Sequence, residues 1–201
     1  MIVPVLLLCL GTVLTVEDKP KAKDPKTIDA ELAALAKDLD AAEKDQIAEK
    51  VRAFAREHAP AKGKAAVLLS KDKKVHVVIG APATEKDPSS ADVEFKPEGT
   101  QYSIAVGGKG FDAKSGQGGT GGTVTLEAKS KSKCILIGGE GGHGADVKEP
   151  ERGGKGGRGG NVWYGDYLKE GDLAVGGSGG QAGSPGGAGG DGGDCGPKPG
   201  K

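Results

Sequence analysis

The sequence predicts a mainly β fold: a four-unit β-repeat of about eight short strands with glycine-rich, polyproline-II-like loops, preceded by an amphipathic α-helical segment. Three observations support this prediction. Segments 92–108, 123–139 and 161–177 align without a gap, a glycine pair ends each of them, and helical periodicity is confined to residues before position 60.

Residues 2–14 (IVPVLLLCLGTVL) form an apolar run that is shorter than the roughly 20 residues needed to cross a bilayer. This length, followed by the small Thr15 and a charged stretch, is typical of a signal peptide, which we place at residues 1–15. No Lys or Arg precedes the run, so an uncleaved membrane anchor remains the alternative. We therefore expect a secreted, periplasmic or cell-envelope protein.

Residues 16–26 mix charges with prolines and are predicted to be a charged linker. Residues 27–59 are predicted to be helical, with Thr27 as the N-cap and a phase shift around Asp45 that fits one bent helix or two short ones. The apolar stripe indicates packing within the same chain, with self-association through the helix as the alternative. His58 near the end is expected to act as a cap rather than a ligand. The stripe consists of Ile28, Leu32, Leu35, Leu39, Ala42, Ile47, Val51, Phe54 and Ala55.

The β-repeat domain is predicted at residues 60–193, and two sets of apolar anchors define its repeat. Within each set, neighbouring members are 31 and then 38 residues apart, so the two sets shift together along the chain. A fainter fourth copy spans residues 65–81. The sets are Val93, Val124 and Val162, and Ile104, Ile135 and Leu173.

Each unit has apolar alternation at both ends and a polar middle, such as residues 97–100. This pattern predicts two strands joined by a tight connection, each strand with one buried face. Alternation places Val93, Phe95, Ile104 and Val106 on the same face.

Glycines recur with a three-residue period in the connections between units and in the stretch after Gly177. A left-handed polyproline-type helix has three residues per turn, so two glycines in three leave two bare edges that can pack side by side. Ordering such chains is entropically costly, because glycine loses the most conformational freedom. We therefore expect partial order for residues 109–160, fraying beyond about Pro185, and a tail at residues 194–201.

The run GGKGGRGGNV (residues 153–162), which leads directly into a predicted strand, resembles the glycine-rich amino-terminal domain of the Obg GTPases. The resemblance covers roughly residues 65–193. It implies polyproline-type glycine helices that project from a small β-dome, and it implies no activity, since the GTPase part of that family is missing here.

Three pieces fit the start of a calcium-binding nonapeptide, GGxGxD, and they make Asp112, Asp146 and Asp194 candidate metal ligands. Calcium needs several oxygen ligands that converge. The aliphatic residue expected two places after each Asp is replaced by Lys114, Lys148 and Gly196. A calcium-dependent β-repeat module is therefore an alternative function, with calcium as its cofactor.

The chain carries 28 basic and 28 acidic residues, so no overall positive field favours nucleic acid or an anionic membrane. Arg152 and Arg158 each precede a glycine pair, and Trp163 and Tyr164 follow, a pattern typical of arginine-glycine RNA-binding segments. RNA binding is the second alternative, although an exported protein would not meet RNA, and no nucleic acid partner is expected.

Once the signal peptide is removed, Cys134 and Cys195 remain as a candidate disulfide, with a buried thiol and a loose thiol as the alternative. The sequence contains no recognisable nucleophile setting or histidine cluster at metal spacing, so no catalytic residue is predicted. The function expected from sequence is that of an exported, non-enzymatic structural or adhesive protein, with a cell-envelope component as the possible partner.

Overall fold

The computed structural model describes residues 25–87 and 91–198, so the predicted signal peptide lies outside the described residues, as does the linker up to residue 24. Two helices follow, α1 (Pro25–Ala41) and α2 (Lys44–His58), which agrees with two short helices in the predicted helical segment. Thr27 lies inside α1, so its prediction as the N-cap is wrong; Pro25 opens the helix, a position where its missing N–H costs nothing. Among the described residues, no helix is long and apolar enough to span a bilayer.

The rest of the described chain is organised around short strands, so the fold is mainly β as predicted. The strands lie in two sheets, one with the order β1-β2-β4-β6-β8 and the other with the order β3-β5-β7-β9. The strands are β1 (Ala66–Leu69), β2 (Val75–Ile79), β3 (Val93–Phe95), β4 (Tyr102–Val106), β5 (Val124–Leu126), β6 (Lys133–Ile137), β7 (Val162–Trp163), β8 (Leu173–Val175) and β9 (Cys195–Gly196).

Strand pairing is parallel except between β1 and β2, and it gives a β-solenoid-like arrangement. The anchors that align in the sequence pair directly in the sheets. Val93 pairs with Val124, which pairs with Val162, while Ile104 and Ile135 occupy the same ladder in the other sheet. The 31- and 38-residue spacings are therefore the spacings between neighbouring strands of the same sheet.

The prediction that the two strands of each unit form a tight hairpin is wrong beyond the first pair. β1 and β2 are an antiparallel hairpin, but β3 and β4 lie in different sheets, as do β5 and β6, and β7 and β8. The polar middle of a unit is a crossover from one sheet to the other. This path lets equivalent apolar residues stack in register and cover both faces of the five-stranded sheet.

The two helices cover one face of the five-stranded sheet. Leu32, Leu39 and Val51 are at most 1% exposed and pack in the same cluster as Ile104 and Ile135. The helical stripe is therefore buried within its own chain. Tyr102 ties the layers together, since its hydroxyl donates a hydrogen bond to Asp40 of α1.

The four-stranded sheet covers the opposite face of the five-stranded sheet and forms a second core. Val93, Phe95 and Val124 pack there against Ala105 and Leu136. The central strands β2 and β4 are consequently buried on both faces, which overturns the prediction of one buried face per strand. Val93 and Phe95 therefore face the second core, whereas Ile104 and Val106 face the helices.

Six glycine segments extend from the strand ends and together are called the glycine bundle. Segments 1, 3 and 5 leave β4, β6 and β8 of the five-stranded sheet and form the outgoing row. Segments 2, 4 and 6 lead back into β5, β7 and β9 of the four-stranded sheet and form the return row. The segments are residues 107–116, 117–123, 138–147, 153–161, 176–184 and 186–194, numbered in chain order.

Candidate functional site

Backbone hydrogen bonds join neighbouring segments within each row at every third residue. In the outgoing row, the amides of Gly107, Gly110 and Ala113 donate to the carbonyls of Ile137, Glu140 and His143. The next step is the same, with Gly138, Gly141 and Gly144 donating to Val175, Ser178 and Gln181. Within both rows of the bundle, the earlier segment donates to the later one.

A second set of hydrogen bonds joins the two rows. The amides of Gly139 and Gly142 in segment 3 donate to Gly122 and Gly119 in segment 2, at 2.9 and 2.8 Å. We expected fraying beyond about Pro185, yet the bonds continue there. The amides of Gly190 and Gly193 donate to Gly180 and Gly177, both at 2.9 Å.

The glycines inside the bundle lie too close to other backbone to carry a side chain. A Cβ atom at Gly139 would lie 1.9 Å from the carbonyl oxygen of Gly108, and one at Gly157 would lie 1.9 Å from that of Gly119. Such distances are far inside van der Waals contact, so close approach rather than backbone freedom requires glycine here.

The third residue of each triplet points away from this tight packing, and none of the third residues is buried. Most of them follow a glycine pair; the exceptions are Asp112, Asp146 and Ser184, which follow one glycine and one Phe or Ala. They form a regularly spaced surface on each row, since the period of three brings one side chain out per repeat. The outgoing row presents Lys109, Asp112, Glu140, His143, Asp146, Ser178, Gln181 and Ser184, and the return row presents Thr120, Thr123, Lys155, Arg158, Asn161, Ala188, Asp191 and Asp194.

The calcium candidates Asp112 and Asp146 accept backbone hydrogen bonds across their row. Asp112 accepts from the amide of His143 at 2.8 Å, and Asp146 from the amide of Ser184 at 2.7 Å. Burial opposes ionisation of Asp112, but the hydrogen bonds from the His143 amide and the Lys109 side chain outweigh it and hold its pKa below the ordinary value. Asn161 uses its side-chain oxygen in the same way, for the amide of Asp194.

Ion pairs cross-link the return row. Lys155 in segment 4 lies 3.2 Å from Asp191 in segment 6, and Arg158 pairs with Asp194, the third calcium candidate. Arg158 also donates through Nε to the carbonyl of Gly192. These charged residues therefore bind neighbouring segments, although they remain exposed to solvent.

The two cysteines of the candidate disulfide are both free thiols in the structure. Cys134 lies in β6 and is 1% exposed, while Cys195 lies exposed in β9 of the other sheet. Burial raises the pKa of the Cys134 thiol, and the nearby Asp172 raises it further. The two cysteines thus lie in strands of different sheets, and Cys195 is held by the pairing of β9 with β7.

The structure also brings together a group that sequence spacing did not suggest. Oxygen or nitrogen atoms of Glu31, Glu57 and His58 lie within 4.8 Å of one another, and His58 Nε2 is 3.3 Å from Glu31 Oε2. Glu31 belongs to α1 and the other two end α2, so only helix packing creates the cluster. Asp112, Asp146 and Asp194 are in no such cluster among the described residues.

A row of buried polar side chains crosses the five-stranded sheet at the end remote from the glycine bundle. His76, Ser103 and Cys134 sit on adjacent strands in register. Ser103 donates to the carbonyl of Glu98 at 3.2 Å, and the ring of His76 stacks on Phe95 with centroids 5.5 Å apart. His76 is 6% exposed, and this burial lowers its pKa against the opposing effect of Glu98.

Trp163, one of the RNA-binding candidates, lines a shallow groove on the four-stranded sheet. Tyr167 lies beside it, and an ion pair between Lys96 and Glu127, with nitrogen and oxygen 3.5 Å apart, lines the same groove. The groove therefore carries both signs of charge.

Comparison with protein-family models, with curated proteins and with solved structures finds no match to this chain.

Proposed function

We propose that this chain is an exported, non-enzymatic structural or adhesive protein that uses the glycine bundle as a rigid scaffold. The observation that carries this proposal is that the glycines and the third residues of the Gly-Gly-Xaa triplets occupy different environments. The glycines in the interior of the bundle have no room for a side chain, whereas the third residues are outside the packing and differ in chemistry from one segment to the next. Such a scaffold can vary its surface without changing its framework.

We further infer that the six segments are left-handed polyproline-II helices carried by a four-unit repeat. A hydrogen bond at every third residue to the same neighbour supports this inference, because that helix repeats after three residues. Two glycine edges per turn also explain why a segment can pack against a neighbour in its own row and against one in the other row. The proposed arrangement is the one that the resemblance to the Obg amino-terminal domain implies.

The return row is the surface that we assign to adhesion. Its third residues include both a threonine and charges of both signs, and Thr120, Lys155 and Asp191 are exposed. Helix α2 partly covers the outgoing row at its end next to the strands. There Arg52 of α2 donates a hydrogen bond to the carbonyl of Gly176, and Arg56 pairs with Glu140. The return row, by contrast, lies on the side of the four-stranded sheet and away from the helices.

The experiment compares two triple variants that remove the same charges. The display variant carries Lys155→Ser, Arg158→Ser and Asp191→Ser in the return row. The control carries Lys129→Ser, Lys131→Ser and Glu170→Ser, which replace exposed residues outside the bundle. We expect wild type and control to co-sediment with isolated envelopes of the producing cell, and the display variant to remain in the supernatant.

The melting temperatures of both variants are measured first, so that loss of binding can be separated from loss of folding. Equal sedimentation of both variants would contradict the assignment of the return row. Recovery of the wild-type protein from the cytoplasm with residues 1–15 still attached would contradict export, and with it the proposed function.

A further inference from the structure

A small cavity lies where α2, the five-stranded sheet and the glycine bundle meet. Its volume is about 80 Å³, and its apolar wall includes Ala55 of α2, Ile79 of β2 and Val106 of β4. The first glycines of segments 1 and 3 close the side towards the bundle. One water-sized position takes roughly 10–15 Å³, so the cavity has room for a compact molecule of about six non-hydrogen atoms.

Four charged side chains line this cavity, and three of them are cations. The cations are those of Arg52, Arg56 and Lys109, and the single carboxylate among the lining side chains is that of Glu140. Arg56 is paired with Glu140, and Lys109 is paired with Asp112 at 2.8 Å. The balance of charge at the cavity is therefore positive, which favours an anionic occupant.

Arg52 is the cation without a carboxylate partner among the described residues. Its Nη2 donates to the carbonyl of Gly176 at 3.2 Å, a weak, neutral acceptor. Its Nε is shielded from solvent and has no acceptor within the described part of the chain. A buried guanidinium N–H without an acceptor costs free energy, and hydrogen bonds to a charged acceptor are about twice as strong as neutral ones.

We propose that this cavity binds a small aliphatic monocarboxylate, with Arg52 as the carboxylate-binding residue. The planar guanidinium matches a carboxylate in geometry, and its Nε is the donor left unused by the fold. The wall of Ala55, Ile79 and Val106 accommodates the short hydrocarbon part of the molecule. This site is separate from the return row and does not depend on the proposed adhesive function.

Butyrate is the probe, because a carboxylate with three further carbons matches the size of the cavity. Its binding to the full chain is followed by amide chemical shifts and by the melting temperature. We expect saturable shifts at the glycines that line the cavity, Gly107 and Gly138, and a melting temperature that rises with butyrate concentration. Butyramide, which has the same shape without charge, is expected to give neither.

Two variants test the two halves of the site. Arg52→Gln keeps a donor for Gly176 but removes the charge, and it should weaken butyrate binding at least tenfold, the effect of losing one charge-assisted hydrogen bond. Ala55→Leu keeps Arg52 and fills the cavity, so it should abolish binding while raising or preserving the melting temperature. If Arg52→Gln does not fold, the wild-type titration and Ala55→Leu still test whether butyrate occupies the cavity.

Three results with butyrate would overturn the proposal: no saturable response of the wild-type protein, binding that Arg52→Gln leaves unchanged, or binding that survives Ala55→Leu. Inorganic phosphate distinguishes a carboxylate site from a general anion site. If phosphate bound as tightly as butyrate and Ala55→Leu did not affect it, the occupant would be any surface anion and the proposal would fail.

Discussion

The strand half of the molecule and the glycine bundle are connected directly, but different interactions stabilise them. In the strand half, large side chains such as Phe95, Leu136 and Ile137 are at most 1% exposed and fill two cores. In the bundle, the interior contains almost only backbone, and each segment is joined to its neighbours by amide–carbonyl bonds in two directions. The stability of the strand half therefore depends on side chains that fill its cores, whereas that of the bundle depends on glycines that allow close backbone contact.

The largest loss of stability is expected from a substitution that creates a cavity in the strand half. Phe95→Ala should lower the free energy of unfolding by about 3–5 kcal/mol, because the ring fills the space between the two sheets. Chemical denaturation measures the change. Glu94→Ala, on the exposed face of the same strand, is the control and should stay within about 0.5 kcal/mol.

The second effect is steric and belongs to the bundle. Gly139→Ala should lower the free energy of unfolding by about 3 kcal/mol or more, because the new Cβ would lie 1.9 Å from the Gly108 oxygen. Gly192→Ala is the control. Its Cβ would lie 3.6 Å from the nearest atom, so the substitution should be neutral or should stabilise by roughly 0.4–1 kcal/mol through a less flexible unfolded chain. Equal effects of the two substitutions would contradict the close packing.

A smaller effect tests the role of the third residues within the bundle. Asp112→Ala removes the acceptor of the His143 amide and should cost about 1 kcal/mol, while Asp112→Asn keeps an acceptor and should cost less. Differential scanning calorimetry measures both. We expect calcium and chelator to leave the melting temperature of wild type unchanged; a rise with calcium that Asp112→Ala removes would favour the calcium-dependent module instead.

The smallest expected effect is a pH dependence of the unfolding free energy that arises from one buried residue of the strand half. Burial lowers the pKa of His76 below 6.5, so the unfolded chain binds its proton more readily than the folded chain does. Stability from this residue is therefore complete above about pH 6.5 and is lost as the pH falls below that value. His76→Leu should flatten the dependence of unfolding free energy on pH below about pH 6.5. An unchanged slope would show that His76 does not titrate in the folded state as its burial requires.

The register of the sheets could be predicted from the sequence, because equivalent residues in parallel strands pair with one another. Val93, Val124 and Val162 aligned in the sequence and are paired in the structure. The sheet in which each strand lies could not be predicted in this way. Alternation shows which side chains share a face of one strand, but it does not distinguish a hairpin from a crossover between sheets.

The cavity at Arg52 shows why a site of this kind is invisible in the sequence. Arg52 and its partner Gly176 are 124 residues apart, and the cavity takes its wall from α2, two strands and two glycine segments. An arginine on a helix is ordinary in composition, and only the packing removes its Nε from solvent. β9 was missed for a similar reason, since Cys195–Gly196 carries no apolar alternation and is a strand only because β7 lies beside it.

Within each row, the amides of the earlier segment donate hydrogen bonds to the later segment, so the bundle has an end to which a further segment could be added. Segment 6 receives hydrogen bonds from segment 4, but the amides of Gly189 and Gly192 have no backbone acceptor among the described residues. A Cβ atom at Gly189 or Gly192 would lie 3.8 or 3.6 Å from the nearest atom, so neither position is tightly packed. A closed barrel fixes its number of strands by geometry, whereas this stack has no such condition. Duplicating one more unit would lengthen it by one step in each row, so the size of the protein is a matter of copy number rather than of closure.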